Sequence, residues 1–237
     1  MFAKGSALLA CLGVLLMAGW AWAIVVDGVN DFPPFGVIDH DGGDTEFTPI
    51  DIGDVYVSVE GSGLFIGYGH DQDGWGGVQI GMAFVTDHSG GGTDPWGHQI
   101  AFGGICLPHY IAYVNLDSGW NEWCGWNHDT SSWDRTPNIL NWITNTPFDE
   151  IFIPWSMLGI DCRVTTSMGF EMWVTQDSPT KGPLDLSFND GLQLSTPGGT
   201  TWDIQTPVLI ACYHCIVLNA PSGTDASTWG NIKALYR

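Results

Sequence analysis

The sequence predicts an all-β chain: an antiparallel β-sandwich, jelly-roll-like, with a short C-terminal helix. Three observations lead there. Apolar residues recur at every second position in short runs, as in Val55, Val57 and Val59 or Val78, Ile80, Met82 and Phe84. Gly, Pro, Asn, Asp and Ser punctuate those runs. No long 3.6-residue periodicity intervenes, which argues against βαβ units.

The elements follow in order. The run from Val55 to Val59, the loop Glu60-Gly61-Ser62-Gly63, and the run Leu64, Ile66, Tyr68 read as a hairpin. Further strands are expected at 78–85, 99–102, 110–114, 150–153 and 169–175. Many short strands with one apolar face build two packed sheets. At the end of the chain, SGTDASTWGNIKALYR (222–237) reads as a loop and then a helix. Asp225 or Ser227 caps it, and Trp229, Ile232 and Tyr236 share a face. The WGNIKALYR ending resembles tails of exported bacterial proteins.

The opening residues have the form of a leader. Lys4 precedes the apolar run ALLACLGVLLMAGW, and Ala21-Trp22-Ala23 is a small-x-small cleavage signal. The expected organisation is a signal peptide over 1–23, a sandwich over 24–205, and an extension over 206–237. Export by this leader implies a secreted, periplasmic or cell-surface protein, with no membrane span in the mature chain. Losing Lys4 leaves five basic residues against 26 acidic ones, a formal charge of −21. Nucleic acid is a poor partner for such a chain, because phosphate binding needs clustered Lys and Arg. Cations and neutral ligands suit it better. Five cysteines remain after cleavage: Cys106, Cys124, Cys162, Cys212 and Cys215. Export favours disulfides, and Cys106 with Cys124 is the expected bridge.

Two groups of residues carry possible chemistry. Asp39, Asp41 and Asp44 alternate in one loop, Asp71 and Asp73 in another, and Asp87 and Asp94 bracket a Gly-rich stretch. Close-spaced carboxylates with backbone carbonyls supply the six to eight oxygens that calcium needs. An Asx-turn, in which Asp bonds its own backbone, is the alternative. His70, His88 and His98 lie near these loops. Eleven tryptophans survive cleavage, several in polar settings such as GWGG, PWGH, SGWNEWCGWN and TTWD. An aromatic face rimmed by Asp, Asn and Gln suits a sugar ring. The CYHC motif (212–215) lacks the second ligand pair of a zinc site, and Ile216 stands where haem attachment needs His. No G-x-S-x-G, H-E-x-x-H or P-loop is present. The chain therefore reads as non-enzymatic.

The order of these features resembles the family 9 carbohydrate-binding modules and their DOMON-like relatives. Val25-Val26-Asp27-Gly28 before DFPPF, Glu150-Ile-Phe-Ile-Pro-Trp155 with Leu158-Gly159, and GFEMWVTQD (169–177) carry the resemblance. It implies a sandwich that holds sugar between two tryptophans. Trp75, ahead of the central strand, and Trp202 occupy the matching positions, and Trp96 is a further candidate. Gln79 stands where the family has a glutamate. Gln79, Asp73 and Asp203 would bond sugar hydroxyls, and calcium would sit structurally in the aspartate loops. Rival readings are a haem-binding relative using Met82 or Met172 with a His, a structural envelope or surface protein without a small ligand, and a glycosidase.

Overall fold

The computed structural model describes residues 24–40, 51–70, 76–86, 89–104, 107–145, 147–161, 165, 167–187, 208–210 and 213–218. The expected leader and C-terminal helix lie outside these residues.

Two antiparallel sheets face one another, as alternation predicts. The first has the order β1-β2-β3-β10-β9, built from β1 (Val37–His40), β2 (Ile52–Val59), β3 (Gly63–His70), β10 (Phe148–Pro154) and β9 (Asn141–Asn145). The second runs β12-β11-β4-β6-β7-β8, from β12 (Asp185–Leu186), β11 (Ser167–Gln176), β4 (Val78–Val85), β6 (Tyr110–Asn115), β7 (Asn121–Asn127) and β8 (Ser132–Pro137). The free edge of β11 also takes β14 (His214–Val217). A parallel pair, β5 (Ile100–Phe102) with β13 (Val208–Ile210), stands apart. β13 and β14 fall within the expected extension over 206–237 and pair with β5 and β11.

The β2–β3 hairpin closes on Gly61-Ser62. Glu60 donates its N–H to the Gly63 carbonyl at 2.9 Å and receives one back at 3.3 Å. Apolar positions of β2, β3 and β10 meet those of β4, β6 and β11 in one core, with Ile66, Ile80, Met82, Phe170, Met172 and Ile153 wholly buried. Met82 and Met172 pair across β4 and β11 inside this core, packed among aliphatic and aromatic side chains rather than presented to a ligand. After β10, Pro154 precedes the four-residue α1 (Trp155–Leu158), and Gly159 caps it at φ 63°. At the N-terminus the amides of Asp27 and Gly28 donate to Glu150 Oε2 at 2.9 and 2.6 Å. Burial pushes the Glu150 carboxyl above its usual range, partly offset by those two N–H bonds.

Alternation also predicts that Gln79, Gly81 and Ala83 face away from the core. They do, but every residue of β4 is buried. A second apolar cluster covers that outer face, formed by Ala83, Ile111, Tyr113, Cys124 and Trp173 with Ile100 and Phe102 of β5 and Ile210 of β13. Residues 89–104 fold back over the sheet, so the chain has a partial third layer. Trp173 lies across β4 opposite Gly81, where any Cβ would fall inside the indole. The glycine is a packing requirement. Gly81→Val is expected to cost about 1–3 kcal/mol of stability through overpacking, measured by urea denaturation. A loss below ~0.5 kcal/mol, ordinary for surface changes, would contradict this placement.

Candidate functional site

The outer face of the second sheet carries the densest polar and aromatic group among the described residues. Asp94 is its hub. Its Oδ1 accepts the amides of Trp96 at 2.8 Å and His98 at 3.1 Å, so it closes an Asx-turn. Its Oδ2 accepts the Tyr113 hydroxyl, and His98 Nδ1 lies 2.9 Å from Oδ1. Asp94, His98 and Tyr113 are all buried. Burial and the Asp94 carboxylate push the Tyr113 hydroxyl far above its usual range, so it stays protonated and donates. Both oxygens of Asp94, expected among calcium ligands, are thus engaged by protein donors.

Beside the hub stands an aromatic and ionic stack. The Arg135 guanidinium lies 3.6 Å from the centre of the Trp96 ring. Arg135 Nε donates to Glu122 Oε2 at 2.9 Å. Trp120 meets Trp96 edge-to-face, with ring centres 5.3 Å apart. Trp96 and Trp120 are half-buried, resting on the outer apolar cluster. The Trp96 Nε1 has no hydrogen-bond partner among the described residues.

Two other tryptophans hold the cover down. Trp126 and Trp133 pack edge-to-face at 5.3 Å, Trp133 Nε1 donates to the Thr93 carbonyl at 2.7 Å, and the backbone at Gly91 presses on both rings. Sequence reading gave no strand for SGWNEWCGWN, only tryptophans in a polar setting, and most of it forms one. The strand is β7, with Trp123 on the core side and Glu122 and Cys124 outward. Asn121, Gly125 and Asn127 share the parity of Trp123 and Glu122 that of Cys124 and Trp126, so neither face shows an apolar alternation in the sequence.

The expected bridge between Cys106 and Cys124 is not formed. Cys124 is a free, buried thiol. Its Sγ faces the outer cluster and donates to Glu122 Oε2 at 3.6 Å. Burial and that carboxylate push the thiol far above its usual range. Cys106 lies outside the described residues, as does Cys212, and Cys215 is a free thiol in β14. No disulfide occurs among the described residues.

The other expected site residues divide as follows. Gln79 sits on the outer face between Thr175 and Asn115, 1 % exposed, with its Oε1 unpartnered among the described residues. Burial keeps it off the surface where a sugar contact would form. Asp39 lies in β1, on the other sheet from Asp94, so the two do not share a site. Trp75, Trp202, Asp73, Asp203, Asp41, Asp44, Asp71 and Asp87 lie outside the described residues. Gly77, two residues after Trp75, donates its amide to Asp117, three residues before Trp120.

A second polar group closes one end of the sandwich. His70 Nε2 lies 3.1 Å from Asp149 Oδ1, both almost fully buried. Tyr68 hydrogen-bonds the same carboxylate. Ile52, which pairs with His70, donates its amide to Asp185 Oδ2 at 2.7 Å. This bond ties the first sheet to the second. Asp149 and Asp185 were missed in the sequence, although a signal existed: Asp149 shares the core-facing parity of Ile151 and Ile153. The strands β1 and β3 end here at His40 and His70, and Asp41, Asp44, Asp71 and Asp73 follow them in the sequence. Among the described residues, no three His, Cys, Asp or Glu side chains converge to hold a metal.

The hub predicts a stability effect. Tyr113→Phe strips Asp94 Oδ2 of its buried donor and is expected to cost about 1–3 kcal/mol. Urea denaturation gives the loss, and hydrogen exchange at the Trp96 and His98 amides should rise with it. No family model, no curated protein and no solved structure matches the chain.

Proposed function

We propose that the protein is an exported, non-catalytic carbohydrate-binding β-sandwich whose sugar face is the outer side of the second sheet. The observation that carries this reading is the half-buried pair Trp96 and Trp120, edge-to-face and backed by Arg135 and Glu122. Rigid indoles beside fixed polar groups give a sugar ring both stacking area and directional hydrogen bonds. Trp96 braces Arg135, and Trp120 is the indole available to stack. Trp75 and Trp202, with Asp73 and Asp203, are the further sugar contacts that the family resemblance implies. The anchoring of Gly77 on Asp117 supports this reading, because it brings the chain just past Trp75 to the turn that leads into Trp120. A formal charge of −20 sets the chain against nucleic acid. No helix among the described residues is long and apolar enough to cross a membrane.

The test is calorimetric titration across a broad glycan panel. Saturable binding is expected. Trp120→Ala should weaken it by about tenfold or more, the range for a stacked aromatic anchor, with the fold intact by circular dichroism. Unchanged affinity in both Trp96→Ala and Trp120→Ala would remove this face from the site, and absence of binding to the whole panel would end the reading.

We further propose structural calcium at the His70–Asp149–Asp185 end, with the aspartate loops completing the shell. Ligand that binds only the folded form stabilises by mass action, about 2.7 kcal/mol at a hundredfold excess over Kd. Thermal unfolding is therefore expected several degrees higher in calcium than in EGTA. Superimposable melts would exclude a stabilising ion.

A further inference from the structure

We infer that the sugar ligand carries an isolated carboxylate, a uronate on an otherwise neutral glycan, which docks on the two Nη groups of Arg135. The inference rests on the carbohydrate reading above and sharpens it to a ligand class.

Arg135 is held in place. Glu122, 4 % exposed, engages Arg135 through Nε. The guanidinium carbon lies over the Trp96 ring, 3.6 Å from its centre. These two contacts fix the plane of the group and use one of its edges. Among the described residues no acceptor is bonded to Nη1 or Nη2, and the side chain is 36 % exposed. A guanidinium fixed in plane, with its outer edge open, matches a carboxylate bidentately. It is permanently charged and loses little conformational freedom on binding.

The rest of the surface narrows the choice. The chain has six Lys and Arg in all, and among the described residues only Lys181 accompanies Arg135. A net charge of −20 repels any densely anionic polymer, whether nucleic acid, polyuronate or a run of acidic peptide. One fixed cation in a negative field selects a single anionic group on a neutral body. Trp120, beside Trp96 on the same face, offers that body a flat apolar surface. A pyranose presents such a surface and a peptide backbone does not, which favours the glycan.

The experiment titrates the full chain with an aldouronic oligosaccharide, neutral but for one glucuronate branch, and with the same oligosaccharide after carboxyl reduction. The acid form is expected to bind about tenfold or more tightly than the reduced form. Arg135→Met should abolish that preference, so that the acid and reduced forms bind it equally. Arg135→Lys should restore only part of it, since an ammonium cannot form the fork. Circular dichroism confirms that each variant is folded. Equal binding of the acid and reduced forms to the native chain would overturn the inference and leave the carbohydrate reading standing. Binding of neither form, nor of any glycan in the panel, would overturn both. Arg135-dependent binding of a short acidic peptide without binding of glycans would also overturn both.

Discussion

The buried carboxylate of Asp94 is the constraint on which the distinctive part of this molecule depends. It turns the chain at residues 94–98 and bonds the Tyr113 hydroxyl from the sheet below. That anchors residues 89–104 over the outer face of the second sheet, where Ile100 and Phe102 complete a second apolar cluster. A two-layer sandwich would leave Tyr113, Cys124 and Trp173 facing water. The cover buries them, and the cost of burying Asp94 is offset because each of its oxygens is hydrogen-bonded. The same turn sets Trp96 against Arg135, so the stability of the cover and the shape of the candidate site share one cause.

Polar burial recurs at the sandwich end, where His70, Asp149 and Asp185 replace the apolar residues that alternation would place there. Three ionisable groups in a low-dielectric setting hold sheet edges in register only while their partners are present. The two polar groups therefore lie at different places and do different work. The outer-face group orders a surface of indoles and one guanidinium. The end group cross-ties the sheets.

The tryptophans divide by the same logic. Trp123, Trp155 and Trp173 are buried, and Trp126 and Trp133 clamp the cover. Trp96 and Trp120 rest on the outer cluster with part of each ring in solvent. Polar neighbours in sequence did not separate these roles. Trp123 and Trp126, both set among Gly, Asn and Glu, are three residues apart on one strand, so they point to opposite faces.

By itself the sequence determined the strands whose pattern has a period of two. The β2–β3 hairpin, the bounds of β4 and the cores of β6, β10 and β11 were legible because one face of each buries apolar side chains and the turns between them carry Gly, Asn or Ser. It left Asp94 between a calcium ligand and an Asx-turn, and the structure has the Asx-turn. Only the tertiary structure decided that β4 is buried on both faces, that β7 is a strand, that Cys124 stays a thiol, and that Arg135 meets Trp96 from 39 positions further along the chain. Those outcomes depend on which segment closes over the outer face. That choice is made by contacts between residues far apart in sequence, and no local periodicity records it.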